Sequence, residues 1–128
     1  MARIRDVVFD CRHPASLARF WAAALDDYQV AAYDRAELDR LRAAGVDNPE
    51  DDPTVLVETK SGRTPRLWFQ LVPESRLVKN RVHLDLTCND VRAEVERLTG
   101  LGARVLAEYE QWVTLADPEG NEFDVMLD

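Results

Sequence analysis

Asp6-Val7-Val8-Phe9-Asp10-Cys11 and His83-Leu84-Asp85-Leu86-Thr87-Cys88 are the two stretches whose comparison decides the fold. Set one over the other, they superpose strand on strand and cysteine on cysteine, and each runs into a helix-like segment. In the first, Ile4, Asp6, Val8 and Asp10 alternate with Arg5, Val7, Phe9 and Cys11, a period of two that predicts a strand over 3–11 with a partly acidic face. In the second, His83, Asp85 and Thr87 oppose Leu84, Leu86 and Cys88, predicting a strand over 81–88.

Beyond each strand the repeat continues. Pro14 suits the first turn of a helix, and Leu17, Ala18, Phe20, Trp21, Ala24 and Leu25 recur at helical spacing on a stripe that can cover a sheet. Asn89 or Asp90 can cap a second helix over 91–101, with Val91, Val95 and Leu98 on one stripe and Gly100 and Gly102 at its end. Short strands are expected over 28–33, 54–59 and 66–72 after the first helix, and over 103–109, 112–116 and 122–127 after the second. The first half also carries a polar insertion over about 34–52, with a short helix over 36–44 that stops at Gly45.

The expected fold is therefore α+β: two tandem βαβββ modules, about 1–75 and about 80–128, in a single domain spanning 1–128. Each module leaves one sheet face without a helix. A curved, partly open barrel-like sheet around a ligand cavity, with helices outside, encloses those faces.

Bulk properties narrow the function. The chain has 128 residues, 46% hydrophobic and 31% charged, which is the composition of a folding globular domain. Its net charge of -8 and pI near 4.7 oppose a nucleic-acid partner, because phosphates demand a basic surface. The N-terminus has no apolar signal region, and no run is long enough to span a bilayer. Cys11 and Cys88 form no CxxC pair, so a reduced, cytoplasmic protein without a disulfide is expected.

Val7 to Cys11 followed by Pro14 through Trp21, Leu67 to Glu74, Lys79-Asn80-Arg81-Val82-His83-Leu84-Asp85-Leu86, and Ala116-Asp117-Pro118-Glu119-Gly120-Asn121-Glu122-Phe123 stand in that order along the chain. Together these stretches resemble the glyoxalase-like branch of the vicinal-oxygen-chelate (glyoxalase/bleomycin resistance/dioxygenase) superfamily. The resemblance covers nearly the whole chain apart from the insertion. It implies paired βαβββ modules, a homodimer, a small-molecule ligand in a concave site, and divalent-metal ligands at positions that match Asp6, Gln70, His83 and Asp124.

That set of one imidazole, two carboxylates and an amide oxygen suits manganese, iron(II), nickel or zinc. Metal-dependent members of the family, however, usually present His or Glu on the first strand and Glu on the last. Asp6 and Asp124 are each one methylene shorter than Glu, which withdraws an oxygen from bonding reach and favours a site without a metal. Glyoxalase I activity itself is not expected.

Two functions of different class fit these residues. One is an enzyme, a lyase, isomerase or dioxygenase acting on a small oxygenated metabolite, with His83 and Asp85 exchanging protons. Burial of that pair on an enclosed wall is expected to bring its titration toward neutrality. The other is a non-catalytic binder of small molecules or antibiotics, whose acids attract a cationic ligand. Asp10, Trp68, Gln70 and Asp85 are the expected ligand contacts in either case. Blander roles stand beside these: Asp6 paired with Arg3 or Arg5, Gln70 serving backbone groups, His83 and Asp85 in a structural network. A site degenerated from a metalloenzyme ancestor is a further alternative.

Overall fold

The computed structural model describes residues 1–128. The chain divides into two compact units, Met1–Ser75 and Arg76–Asp128. Each is a βαβββ module with a four-stranded sheet, and the fold is α+β.

The first unit contains β1 (Asp6–Cys11), α1 (Pro14–Ala24), β2 (Tyr28–Val30), α2 (Arg35–Ala43), a single 3₁₀ turn at Pro49–Asp51, β3 (Thr54–Thr59) and β4 (Arg66–Leu71). Its sheet order is β1-β4-β3-β2, with β1 parallel to β4 and the other pairs antiparallel. Pro14 opens α1, which buries Leu17, Ala18, Phe20, Trp21 and Ala24 as the helical spacing predicts. These meet the Phe9, Phe69, Val55 and Val57 side of the sheet, where Phe9 stacks on Phe69 at 5.1 Å and lies 5.6 Å from Trp21. Phe69 is fully buried, worth about 1.5–3 kcal/mol in transfer free energy. Val8, Trp68 and Leu56 occupy the opposite side of the same three strands.

The insertion folds as predicted, with α2 capped by Asp34, whose Oδ1 accepts the Glu37 N–H at 2.9 Å. Gly45, at φ 83°, takes the left-handed turn that ends it. Leu41 is its buried anchor. Tyr33 donates its hydroxyl to the buried Asp52 at 2.7 Å, joining the two ends of the insertion.

The second unit contains β5 (Leu84–Cys88), α3 (Val91–Leu101), β6 (Arg104–Glu108), β7 (Trp112–Ala116) and β8 (Glu122–Leu127), in the sheet order β5-β8-β7-β6. Asp90 caps α3 through Ala93 N–H, and Gly102 at φ 119° closes it. Leu98, Leu115, Phe123 and Val125 form the buried core.

The largest departures from the expected bounds are three, and in the first of them β2 stops at Val30, where its register with β3 ends, rather than at Tyr33. β1 starts at Asp6 rather than Arg3, because its ladder with β4 begins at Asp6↔Arg66. β5 starts at Leu84 rather than Arg81, because pairing with β8 begins at Leu84↔Phe123, and His83 therefore stands just before the strand. The alternation beyond both ends is real in the sequence but has no partner strand to pair with.

The repeat reaches the backbone hydrogen bonds. Cys11 donates its thiol to the carbonyl of Gln70 and Cys88 to that of Met126, at 3.6 and 3.5 Å. The registers make these equivalent positions: β1 lies on β4 as β5 lies on β8.

The Asp117-Pro118-Glu119-Gly120-Asn121-Glu122 stretch is a structural knot. Buried Asp117 accepts from the backbone N–H groups of Glu119 and Asn121 and from Asn121 Nδ2, while Gly120 supplies φ 89°. Glu122, only 8% exposed, accepts Asn80 N–H at 3.1 Å and pairs with Arg76. Burial pushes its carboxyl up, but the Asn80 N–H and the Arg76 guanidinium outweigh that and hold it below the ordinary 4.5. The connector into β5 is thus tied down by the first residue of β8.

Candidate functional site in the second module

β5, β8 and β7 lie side by side, and the registers Asp85↔Asp124 and Thr114↔Asp124 place these three residues on one face of the sheet, opposite the α3 side. His83, immediately before β5, completes the group. Its Nε2 stands 3.2 Å from Asp85 Oδ1 and 3.5 Å from Asp124 Oδ2. Thr114 donates its hydroxyl to the other oxygen of Asp124 at 2.5 Å, fixing the carboxylate so that Oδ2 faces the imidazole. One nitrogen thus faces two carboxylates, an arrangement that suits a shared proton or a bound cation.

The burial expected around this pair is absent: the His83 and Asp85 side chains are 43% and 57% exposed, and only Asp124 is substantially covered, at 17%. His83 stands at the end of the ladder and Asp85 points away from the helix-covered side, so neither meets a packed layer within its own module.

The donor set fits a divalent metal. Around one ion with bonds of about 2.0–2.2 Å, neighbouring ligand atoms stand about 3–3.5 Å apart, as do the two contacts of His83 Nε2. All three ligand atoms lie within 4.8 Å of one another. An imidazole with two carboxylates suits intermediate ions such as manganese, iron(II) or zinc.

The remaining predicted residues belong to the first module. Asp6 has both carboxylate oxygens engaged by Arg66, at 2.7 and 3.0 Å, with Arg5 at 3.5 Å, and the Arg66 hydrogen bonds hold its carboxyl below the usual 3.8 against the opposing effect of burial. Arg66 also lies over Trp68, 5.8 Å from the ring centre. Asp10 and Gln70 are register neighbours and both are exposed. They stand four residues along the strand pair from Asp6 and Arg66, about 13 Å away, so this module does not bring Asp6 and Gln70 together.

Trp68 lines a cavity of about 540 Å³ with Leu56 and Thr54, and the insertion supplies its other walls through Tyr33, Glu37 and Arg40. Burial and the hydrogen bond to Asp52 push the Tyr33 phenol far above its ordinary value, so it stays protonated as a donor. Sequence reasoning found Trp68 but not these wall residues. Their signal was the Asp34 cap, which fixes the helix that presents Glu37 and Arg40. Thr114 was also missed, although its place opposite Asp124 follows from the turn between β7 and β8.

The duplicated βαβββ fold is that of a vicinal-oxygen-chelate domain. The Glyoxalase-like domain family matches residues 6–126, and the chain belongs to that family. Solved structures agree on the fold. A glyoxalase/bleomycin resistance protein/dioxygenase family enzyme from Burkholderia phytofirmans is 18% identical, with TM-score 0.64 and 97% of each chain covered. The fosfomycin resistance protein FosX from Mesorhizobium loti is 11% identical, with TM-score 0.67, covering 100% of this chain and 93% of its own. Glyoxalase I from Leishmania major is 15% identical, with TM-score 0.62, covering 99% and 87%. No protein of curated function matches the sequence significantly. No helix is long and apolar enough to cross a membrane.

Proposed function

We propose that this protein is an enzyme acting on a small oxygenated metabolite at the open face of the second module, in lyase, isomerase or dioxygenase chemistry. The observation that carries this reading is the single imidazole nitrogen facing two carboxylates, one of them positioned by Thr114. His83 takes or gives the proton, Asp85 steadies the charge it gains, and Asp124 is held ready for a second donor or a cation. The same three residues would hold a divalent metal, whose chemistry is to polarise an oxygen of the substrate. This donor set differs from the Asp6, Gln70, His83 and Asp124 set that the family resemblance implies: it replaces Asp6 and Gln70 by Asp85 and keeps Asp124, whose shorter side chain is met here by the approach of His83.

The 540 Å³ cavity beside Trp68 supports a second reading, a non-catalytic small-molecule or antibiotic binder, with Trp68 as the apolar contact. Either protein would act in the cytoplasm as a homodimer, which sedimentation would test.

The test is metal content and thermal stabilisation by manganese, iron(II), nickel and zinc. A ligand that prefers the native state at about 100 times its Kd stabilises it by about 2.7 kcal/mol. A shift in the wild type that disappears in His83→Ala and Asp124→Asn supports the cation centre. A shift that survives both removes it, and no shift in the wild type leaves the metal-free acid–base site or the binder.

A further inference from the structure

At the end of the second sheet where β7 begins, β8 ends and α3 starts, a separate cavity of about 720 Å³ opens. Tyr109 and Trp112 stack at 4.7 Å between ring centres on one wall, and Met126 and Val91 add apolar surface. Asp90 and Glu110 supply carboxylates. Not one lysine, arginine or histidine lines it.

Tyr109 is 54% exposed while it stacks on Trp112, so much of that residue remains accessible to an occupant. Aromatic faces carry negative quadrupole potential, and carboxylates nearby add to it without a basic group to cancel it. The apolar wall would repel a small hydrated ion, whose shell it cannot replace, but it would shelter the hydrocarbon body of an organic cation. We infer that this cavity binds a hydrophobic organic ammonium, with the charged end over the Tyr109–Trp112 pair and toward Glu110 and the body against Met126 and Val91.

The site uses none of the His83 group. None of that group lines the cavity, and Trp112 and Met126 are register partners two residues along their strands from Thr114 and Asp124, about 7 Å away, so an occupant would leave it in place.

Isothermal titration with benzyltrimethylammonium tests the inference on the full chain, with phenylacetate as a probe of similar size and opposite charge. Saturable one-to-one binding of the cation is expected, weakened by added salt, with no binding of phenylacetate. Trp112→Leu should weaken it about tenfold, and Glu110→Gln about threefold. If Trp112→Leu fails to fold, Tyr109→Ala carries the same test, because that ring is exposed. His83→Ala should bind the cation as the wild type does, which separates this site from the proposed reaction centre. Absence of cation binding, equal binding of phenylacetate, or full affinity in the aromatic variants would overturn the inference.

Discussion

The two modules share a backbone plan and differ in what they place on the face turned away from their helices. Register for register, Val8, Trp68 and Leu56 of the first correspond to Asp85, Asp124 and Thr114 of the second. The first is apolar and walled by an insertion, and the second is acidic and open. Two residues before, the first module has Asp6 neutralised by Arg66, whereas the second has His83 facing Asp85 and Asp124. A duplicated fold can thus keep its hydrogen-bond ladder while one copy presents an apolar, walled face and the other an acidic, open one.

Truncating the cores tests how alike the modules are in stability. Phe69→Ala and Phe123→Ala should each cost about 3–5 kcal/mol in denaturant unfolding, since both rings are fully buried. A much smaller loss in either would break the structural equivalence.

The faces are separated by metal titration. His83→Ala should abolish any metal-induced rise in melting temperature, while Asp6→Asn should leave it, because Arg66 already occupies both Asp6 oxygens. Loss in both variants would reinstate the wider donor set.

The third prediction concerns the anchors that surround the faces. Glu122→Gln should cost about 1–3 kcal/mol at neutral pH by leaving Arg76 without its charge partner. Because the folded carboxyl titrates below the ordinary 4.5, the unfolded chain binds its proton first as pH falls. The stabilisation is therefore complete above the unfolded value and lost progressively below about pH 4.5, as pH drops through the folded one. An acid unfolding profile in which wild type and variant converge at low pH would show it.

The smallest effect belongs to the helix caps. Asp34→Ala and Asp90→Ala should each destabilise by about 1 kcal/mol, read from urea midpoints. Loss of Asp34 should also weaken ligand binding in the first module's cavity, whereas loss of Asp90 should not.

Much of the architecture is legible in the residues. The bounds of β3, α3, β7 and β8 follow from period, cap and turn, because those signals are local. The duplication follows from two similar strand sequences and says which positions share a face. Long-range partners are another matter. Nothing near Asp6 announces Arg66, sixty residues on, and the chain offers Arg3 and Arg5 as local candidates instead; Arg5 does approach, at 3.5 Å, but Arg66 makes the hydrogen bonds. Glu122 reads as part of a turn motif, and only the folded chain reveals that it holds Asn80 and Arg76. His83 and Asp85 were identifiable from alternation, while their exposure was not, since a period of two tells which side a residue takes and not what covers that side.

The insertion is fastened by the buried Leu41, the Tyr33-to-Asp52 bond, the two-pronged pairing of Glu50 with Arg19 of α1 and a cap, and it enters and leaves the sheet between neighbouring strands. A segment held mostly by exposed polar contacts can be lengthened, shortened or rewritten without disturbing the registers of β2 and β3. Substitutions at Glu37 and Arg40 would then reshape the wall of the cavity beside Trp68 with little penalty to folding.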